Sequence, residues 1–362
     1  MTTITERQPK YAAIAGELRQ RIQSGELQIG DQLPTFDEMC ESYGVTPTTV
    51  VRVYGLLEQE ELVERLHGRG IFVAKPKRKL TGNIGLIGTE GIRQNADYYN
   101  RLMRGIEDAA LQNKQHLLFL GTDLDWDKQS CEKVDGILIA GVDQVNTIIQ
   151  KLPPELPVVA IMVAAGKIPS VTADDYQGAK LAVQYLLTKG HRRIACLMEQ
   201  DPILPRRRLA GYQDALYEAD IKADQNSIRL APSLRNEELS QSRTQLYIAW
   251  GKEQMKKWLN DGWSSTKCTA IFVQNDGAAI GVMQALQEEG IQVPQQVSVI
   301  GFDGTQLCDC VSPSLCAVQV PLAQISTKAV EVLNQQIQHG AQDAQSIVFP
   351  LQIREGASVA II

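Results

Sequence analysis

The sequence predicts an α/β protein in two parts: a small winged helix-turn-helix at the N-terminus and a larger body built on parallel sheets. Three observations carry this reading. Two short amphipathic helices meet at a glycine-containing turn and are followed at once by a strand–turn–strand hairpin. A basic, proline-containing segment comes next. Beyond it, short apolar runs alternate with amphipathic helices, the pattern of βαβ units and parallel sheets.

In the head, Tyr11 to Ser24 places Ile14, Leu18 and Ile22 at i, i+4 and i+8 on one helical face, with Gly25 as the stop. Thr35 precedes FDEMCESYG, with Glu38 at the capping-box position and Gly44 near the end. Thr46 and Pro47 suit the N-cap and first position of the next helix. Val50, Val53, Tyr54 and Leu57 form its apolar stripe, leaving Thr48, Thr49, Val51 and Arg52 on or near the other face. Alone, this pair fits a structural helical hairpin as well as an element that enters the major groove. Residues 62–73 decide between them. Leu62–Leu66 alternates like a strand, His67-Gly68-Arg69-Gly70 reads as a tight turn, and Ile71-Phe72-Val73 returns. A hairpin in that place is a wing, and an arginine between two glycines lets the backbone approach a sugar-phosphate wall.

Charge distribution agrees. The 362 residues carry a formal charge of −6, which argues against a generic nucleic-acid binder. Residues 1–80, however, hold 11 basic and 11 acidic side chains, and Arg65–Lys79 has six basic residues, one His and no acid. Beside a helix-turn-helix such a run is a phosphate-binding surface. Lys75–Thr81, charged and without apolar periodicity, reads as a linker.

In the body, strands are expected at 84–87, 117–120, 136–140, 158–162, 194–198, 270–273 and 297–301, with helices at 100–113, 178–189, 209–219 and 278–289. A hydrophobic content of 44% and a charged content of 22% allow a large core. No apolar run reaches the roughly 18 residues of a membrane span. The N-terminus lacks the apolar core of a signal peptide, so a cytoplasmic protein is expected. Cys308, Cys310 and Cys316 form C-x-C-x5-C, which lacks a fourth ligand and the usual zinc spacing; no metal and no cofactor are expected. The four His form no HExxH, and no nucleophile motif, P-loop or GxGxxG is present, which points away from an enzyme.

Specific strings add a family reading. Y-x-x-I-x-x-x-L-R-x-x-I-x-x-G-x-L at 11–27, G-D-x-L-P at 30–34, Y-G-V at 43–45, T-T-V at 48–50 and L-V-E-R-x-x-G-R-G-x-F-V at 62–73 resemble the winged helix of the GntR family. That resemblance implies that Thr46, Thr48 and Thr49 face DNA and that Gly68-Arg69-Gly70 enters the minor groove, with Arg52 and His67 beside them. Where the family usually has arginine after the N-cap and after T-T-V, this chain has Pro47 and Val51, with the arginine one place later at Arg52; Asp37 replaces a common basic residue. Fewer guanine and phosphate contacts are then available in the helix, which implies a shifted sequence preference and heavier reliance on the wing and basic linker.

The body resembles the LacI/GalR effector domain. The carriers are Tyr98-Tyr99 with R-G-I-E-D-A-A at 104–110, V-D-G-I-L-I at 134–139, G-H-R-R-I-A within 174–195, R-x-A-G-Y-x-D-A-L at 208–216, A-I-F-V-Q-N-D at 270–276 and V-S-V-I-G-F-D at 297–303. Together the two parts resemble a GntR-family head joined to a LacI/GalR-family body. The implied body is two-lobed and periplasmic-binding-protein-like. Expected boundaries are a head at 1–74, a linker at 75–82 and a body at 83–362, with one lobe at about 83–162 and 322–340 and the other at about 163–320 and 341–362. Residues 121–133 are shorter than the family norm, so the second helix of the first lobe is expected to be clipped.

Ligands of open α/β sheets bind beyond the carboxyl ends of the strands. Asp276 and Asp303 fall there without analogy. The resemblance adds Arg208 and Asn275; Asp174 fits either a ligand contact or a helix cap. Two Asp, an Asn and an Arg suit a polyhydroxylated ligand, with a purine or other small polar metabolite as the alternative. Trp126, Trp250, Trp258 and Trp263 offer apolar platforms, although Trp258 and Trp263 fit core packing better. The expectation is a homodimeric transcription regulator in the repressor sense, bound to a palindromic double-stranded DNA operator and switched by a small effector, a sugar by class. A cytoplasmic small-molecule-binding protein is the rival reading.

Overall fold

The computed structural model describes residues 9–74, 80–88, 97–121, 131–140, 145–200, 204–234, 242–340 and 344–362. The chain divides into two units, Met1–Lys79 and Leu80–Ile362.

The first unit holds helices α1 (Lys10–Gln23), α2 (Phe36–Tyr43) and α3 (Pro47–Gln59), then strands β1 (Val63–Leu66) and β2 (Gly70–Val73). Ile14, Leu18, Val50, Val53, Tyr54 and Leu57 close its core, as the two helical periods require. Local chemistry sets the helix ends. The Thr35 hydroxyl accepts from Glu38 N–H while Glu38 accepts from Thr35 N–H, the expected capping box, and Gly44 ends α2 at φ 57°. Thr46 occupies the N-cap of α3, but its hydroxyl lies 3.1 Å from that of Thr49 rather than on a backbone N–H. Strands β1 and β2 pair antiparallel, and the 30–33 segment clasps β2 through Leu33 N–H to Ile71 O at 2.8 Å and Val73 N–H to Asp31 O at 2.8 Å.

The second unit contains two six-stranded sheets. The first is ordered β4 (His116–Leu120), β3 (Asn83–Gly88), β5 (Gly136–Ala140), β6 (Val158–Ile161), β7 (Ser170–Ala173) and β13 (Ser346–Phe349), all parallel. The second is ordered β9 (Ile228–Ala231), β8 (Ile194–Glu199), β10 (Ala270–Val273), β11 (Ser298–Asp303), β12 (Cys316–Gln319) and β14 (Gln352–Arg354), of which only β14 runs antiparallel. Helices α4 (Asp97–Gln112), α5 (Val145–Lys151) and α11 (Leu322–His339) belong to the first sheet's lobe, and α6 (Asp175–Thr188), α7 (Leu204–Glu218), α8 (Arg243–Asp261), α9 (Trp263–Thr266) and α10 (Asp276–Glu288) to the second. β5, β6 and β10 are buried along their whole length, as strands covered on both faces must be.

The expected lobe limits need correction. Ser170–Ala173 and Ser346–Phe349 join the first sheet, because β7 pairs with β6 and β13 with β7. The first lobe therefore runs to residue 173 and takes back residues 322–349. The linker also ends earlier than expected: the carboxylate of Asp135 accepts from Thr81 N–H at 2.7 Å and Gly82 N–H at 2.8 Å, fastening both to the body. Residues 75–79 lie outside the described residues, as do Trp126 and most of the segment expected to be clipped. Among the described residues no helix is long and apolar enough to cross a membrane, and no group of three His, Cys, Asp or Glu side chains is placed to hold a metal ion.

Candidate functional site

Two candidate sites emerge, one in each unit. In the body, the carboxyl ends of β8, β10 and β11 converge where the lobes meet. Arg208, on α7, is the centre. Its Nε donates to Asp175 Oδ1 at 2.8 Å, its Nη1 donates to the carbonyl of Gln274, and its guanidinium lies over the Phe302 ring at 3.6 Å. Asp303 Oδ1 is 3.9 Å from Nη2. Burial alone would lower the Arg208 guanidinium, and Asp175 and Asp303 more than reverse that. Burial pushes the Asp303 carboxyl well above the carboxylate range, with Arg208 pulling it back. Asp303 holds φ 106°, a backbone state that side-chain-bearing residues avoid and that concentrates at functional sites. Gly304 follows at φ 65°, and a Cβ there would meet the Gln319 Cα at 2.6 Å, so the turn admits only glycine.

The first lobe reaches this cluster through α4. Arg101 Nη1 donates to Gly304 O at 3.4 Å, and Tyr98 and Tyr99 stack edge to face with centroids 5.4 Å apart. Burial raises the Tyr98 phenol, and the nearby Asp303 and Asp175 raise it further.

In the head, α3 presents Thr48, Val51 and Arg52 to solvent, and the wing tip exposes His67, Gly68, Arg69 and Gly70. Gly68 and Gly70 have φ 72° and 121°. The tip is braced from behind, since Gln32 Nε2 donates to the Arg69 carbonyl at 3.0 Å. Arg52 leans over Tyr11 at 5.9 Å, and Arg65 is held by Glu58 at 3.0 Å.

Comparison with known proteins accords with this geometry. Residues 10–73 match the gntR family of bacterial regulatory proteins, and residues 183–359 match the periplasmic binding protein-like domain. Catabolite control protein A of Priestia megaterium is 29% identical over 81% of this chain and 86% of its own. The arabinose metabolism transcriptional repressor of Geobacillus stearothermophilus is 24% identical over 92% and 93%. A LacI-family transcriptional regulator from Enterococcus faecalis V583, solved with bound ribose, superposes with a TM-score of 0.62 at 25% identity, covering 77% of this chain and 99% of that one. The chain joins a gntR-family head to a periplasmic binding protein-like domain that is similar to those of LacI-family regulators. It is a DNA-binding transcription regulator.

In this regulator the expected residues fall into groups. Arg208 and Asp303 come together. Asn275 sits at the same strand ends, although its Oδ1 already accepts Ala278 N–H at 2.8 Å as the N-cap of α10. Asp174 takes the capping alternative, accepting Gln177 N–H at 3.1 Å, and the neighbouring Asp175 is the partner of Arg208. Asp276 is 1% exposed and its Oδ2 accepts both the N–H and the hydroxyl of Thr305 at 2.7 and 2.9 Å, so as placed it fixes the 303–305 turn from behind. Trp250, Trp258 and Trp263 pack in the core of the second lobe and offer no platform. Asp175, Glu199 and Gln274 escape a linear reading because each acquires its partner across the fold; only the paired Asp174-Asp175 hinted at one of them.

Proposed function

We propose that the chain is a transcriptional repressor whose operator affinity is switched by a small polyhydroxylated effector, a sugar by class, bound at the junction of the two lobes. One observation carries this: a desolvated arginine is held by Asp175 with a second carboxylate, Asp303, in reach at the strand ends, in a chain whose other unit is a winged helix. Arginine and carboxylate together hold ring oxygens and hydroxyls by directional hydrogen bonds. The ribose-bound relative supports the class of ligand. Effector bridging both lobes favours one lobe arrangement, and operator affinity follows by population shift, with no chemistry performed.

The active form is a homodimer on a palindromic operator. Edge strand β4 and helix α4 expose Phe119 at 65% and Leu111 at 59% around a shallow cavity of about 260 Å³, and the second lobe exposes Tyr217 and Leu230. Such an apolar edge calls for a partner copy. The heads contact DNA through Thr46, Thr48, Thr49 and Arg52 in the major groove and through His67–Gly70 in the minor groove.

Selection from random duplexes, followed by titration with the effector, tests the proposal. It expects an enriched inverted repeat whose binding responds to effector in the wild type but not in Asp303→Ala. Failure to enrich any duplex, or an undiminished response in the variant, contradicts it.

A further inference from the structure

The strand register brings three polar residues to one level at the strand ends. Val273 lies opposite Leu197, and Phe272 opposite Ile300. Carried onward, the same register sets Asn275 beside Glu199 on one flank and beside Asp303 on the other. Neighbouring strands are spaced about 4.8 Å apart, so the row from Glu199 to Asp303 is about 10 Å long. A single hexose ring, built from bonds of about 1.5 Å, is little more than half that length.

The Glu199 end has the features of a second hydrogen-bonding station. Glu199 is buried; its carboxylate accepts from Leu234 N–H at 2.8 Å and from the Tyr247 hydroxyl at 3.2 Å. Gln274 links the two ends: its carbonyl accepts from Arg208, and its Oε1 accepts Glu199 N–H at 2.6 Å. That bond fixes the amide orientation, so the atom left over is a donor. Gln274 is 4% exposed and its Nε2 has no partner. From the other lobe, Asp97 brings an unpartnered buried acceptor, Oδ2, while its N–H lies 3.5 Å from Thr244 Oγ1, one helical turn before Tyr247. Buried polar atoms are rarely left unpaired, and a hydroxyl, which donates and accepts, satisfies one of each.

The aromatic residues divide the same way. Tyr98 sits among the charges of Asp303, Asp175 and Arg208. Tyr99 is within electrostatic reach of Arg243 and Tyr247, the pair beside Glu199.

We propose that the effector is a disaccharide-sized polyol lying along this row, one ring at Arg208 and Asp303 beneath Tyr98, the other at Glu199 and Gln274 beneath Tyr99. This rests on the reading of the cleft as a polyol site. The test is calorimetric titration of the full chain with glucose, galactose and ribose, with maltose, cellobiose, melibiose and sucrose, and with hypoxanthine. At least one disaccharide should bind tenfold or more tightly than its component monosaccharides. Gln274→Met and Glu199→Gln, each checked for native melting behaviour, should bring its affinity down to that of the monosaccharide. A monosaccharide that binds as tightly as any disaccharide overturns the proposed length while leaving the polyol reading in place. Response to hypoxanthine alone overturns both. A disaccharide preference that survives both substitutions also overturns the assignment.

Discussion

The two units use arginine in opposite ways. Arg69 stands at the exposed tip of the wing between two glycines, its backbone held from behind and its guanidinium offered outward. Arg208 is enclosed, its guanidinium bonded to Asp175 and to a main-chain carbonyl and stacked on Phe302. An exposed guanidinium reads phosphate charge, and its contribution falls as salt rises. An enclosed one is screened little and acts through geometry, so that a ligand must match its hydrogen-bonding directions. One chain thus carries a charge-reading surface and a shape-reading cleft, which implies that salt and effector act on different parts of it.

The largest expected effect comes from removing the partner of the enclosed arginine. Asp175→Asn leaves the buried Arg208 charge with only the longer Asp303 contact at 3.9 Å and should destabilise the body by about 3 kcal/mol in urea unfolding, with little dependence on salt. Loss of less than about 1 kcal/mol would show that Arg208 is not enclosed as described. Next, Arg69→Ala should weaken operator binding and lower the slope of log K against log salt by about one. A slope equal to that of the wild type would remove the wing from the phosphate contacts and erase the contrast between the units.

The titration of Asp276 gives a third test. Burial raises its carboxyl from the usual value to about 6, against the opposing hydrogen bonds from Thr305. A carboxyl whose folded value lies above its unfolded one stabilises the fold most at low pH, and that contribution is lost as pH rises from about 4 through about 6. Relative to Asp276→Asn, the wild type should therefore lose melting temperature as pH rises through this window. A pH-independent difference between the two would refute the assignment. The smallest effect belongs to the head: Thr35→Ala removes the capping box of α2 and should cost about 1 kcal/mol, without altering effector binding by the body.

Legibility in the sequence followed the range of the interactions. The capping box needs only Thr35 and Glu38, and the wing needs only the alternation and glycines of 62–73; both are contiguous and both could be read directly. Central strands such as Gly136–Ala140 announce themselves by apolar content. Not every edge strand does: 117–120 was legible, but Ser346–Phe349 is short and half-exposed and becomes a strand through pairing with Ser170–Ala173, far away in the chain. The site divided along the same line. Arg208 and Asp303 were visible as a resemblance and as a strand end. Asp174 took its helix-cap alternative, whereas Asp175, which α6 turns toward Arg208, was not read from the sequence, and Glu199 and Gln274 gain meaning only from the register of three strands.

The central claim is that occupancy of the cleft changes what the winged helix does. Operator affinity of the purified protein should be measured across a salt series, with and without a ligand that raises the melting temperature of the body. The account predicts at least a tenfold change in affinity on ligand binding at every salt concentration. A ligand that stabilises the body and leaves operator affinity unchanged would contradict it.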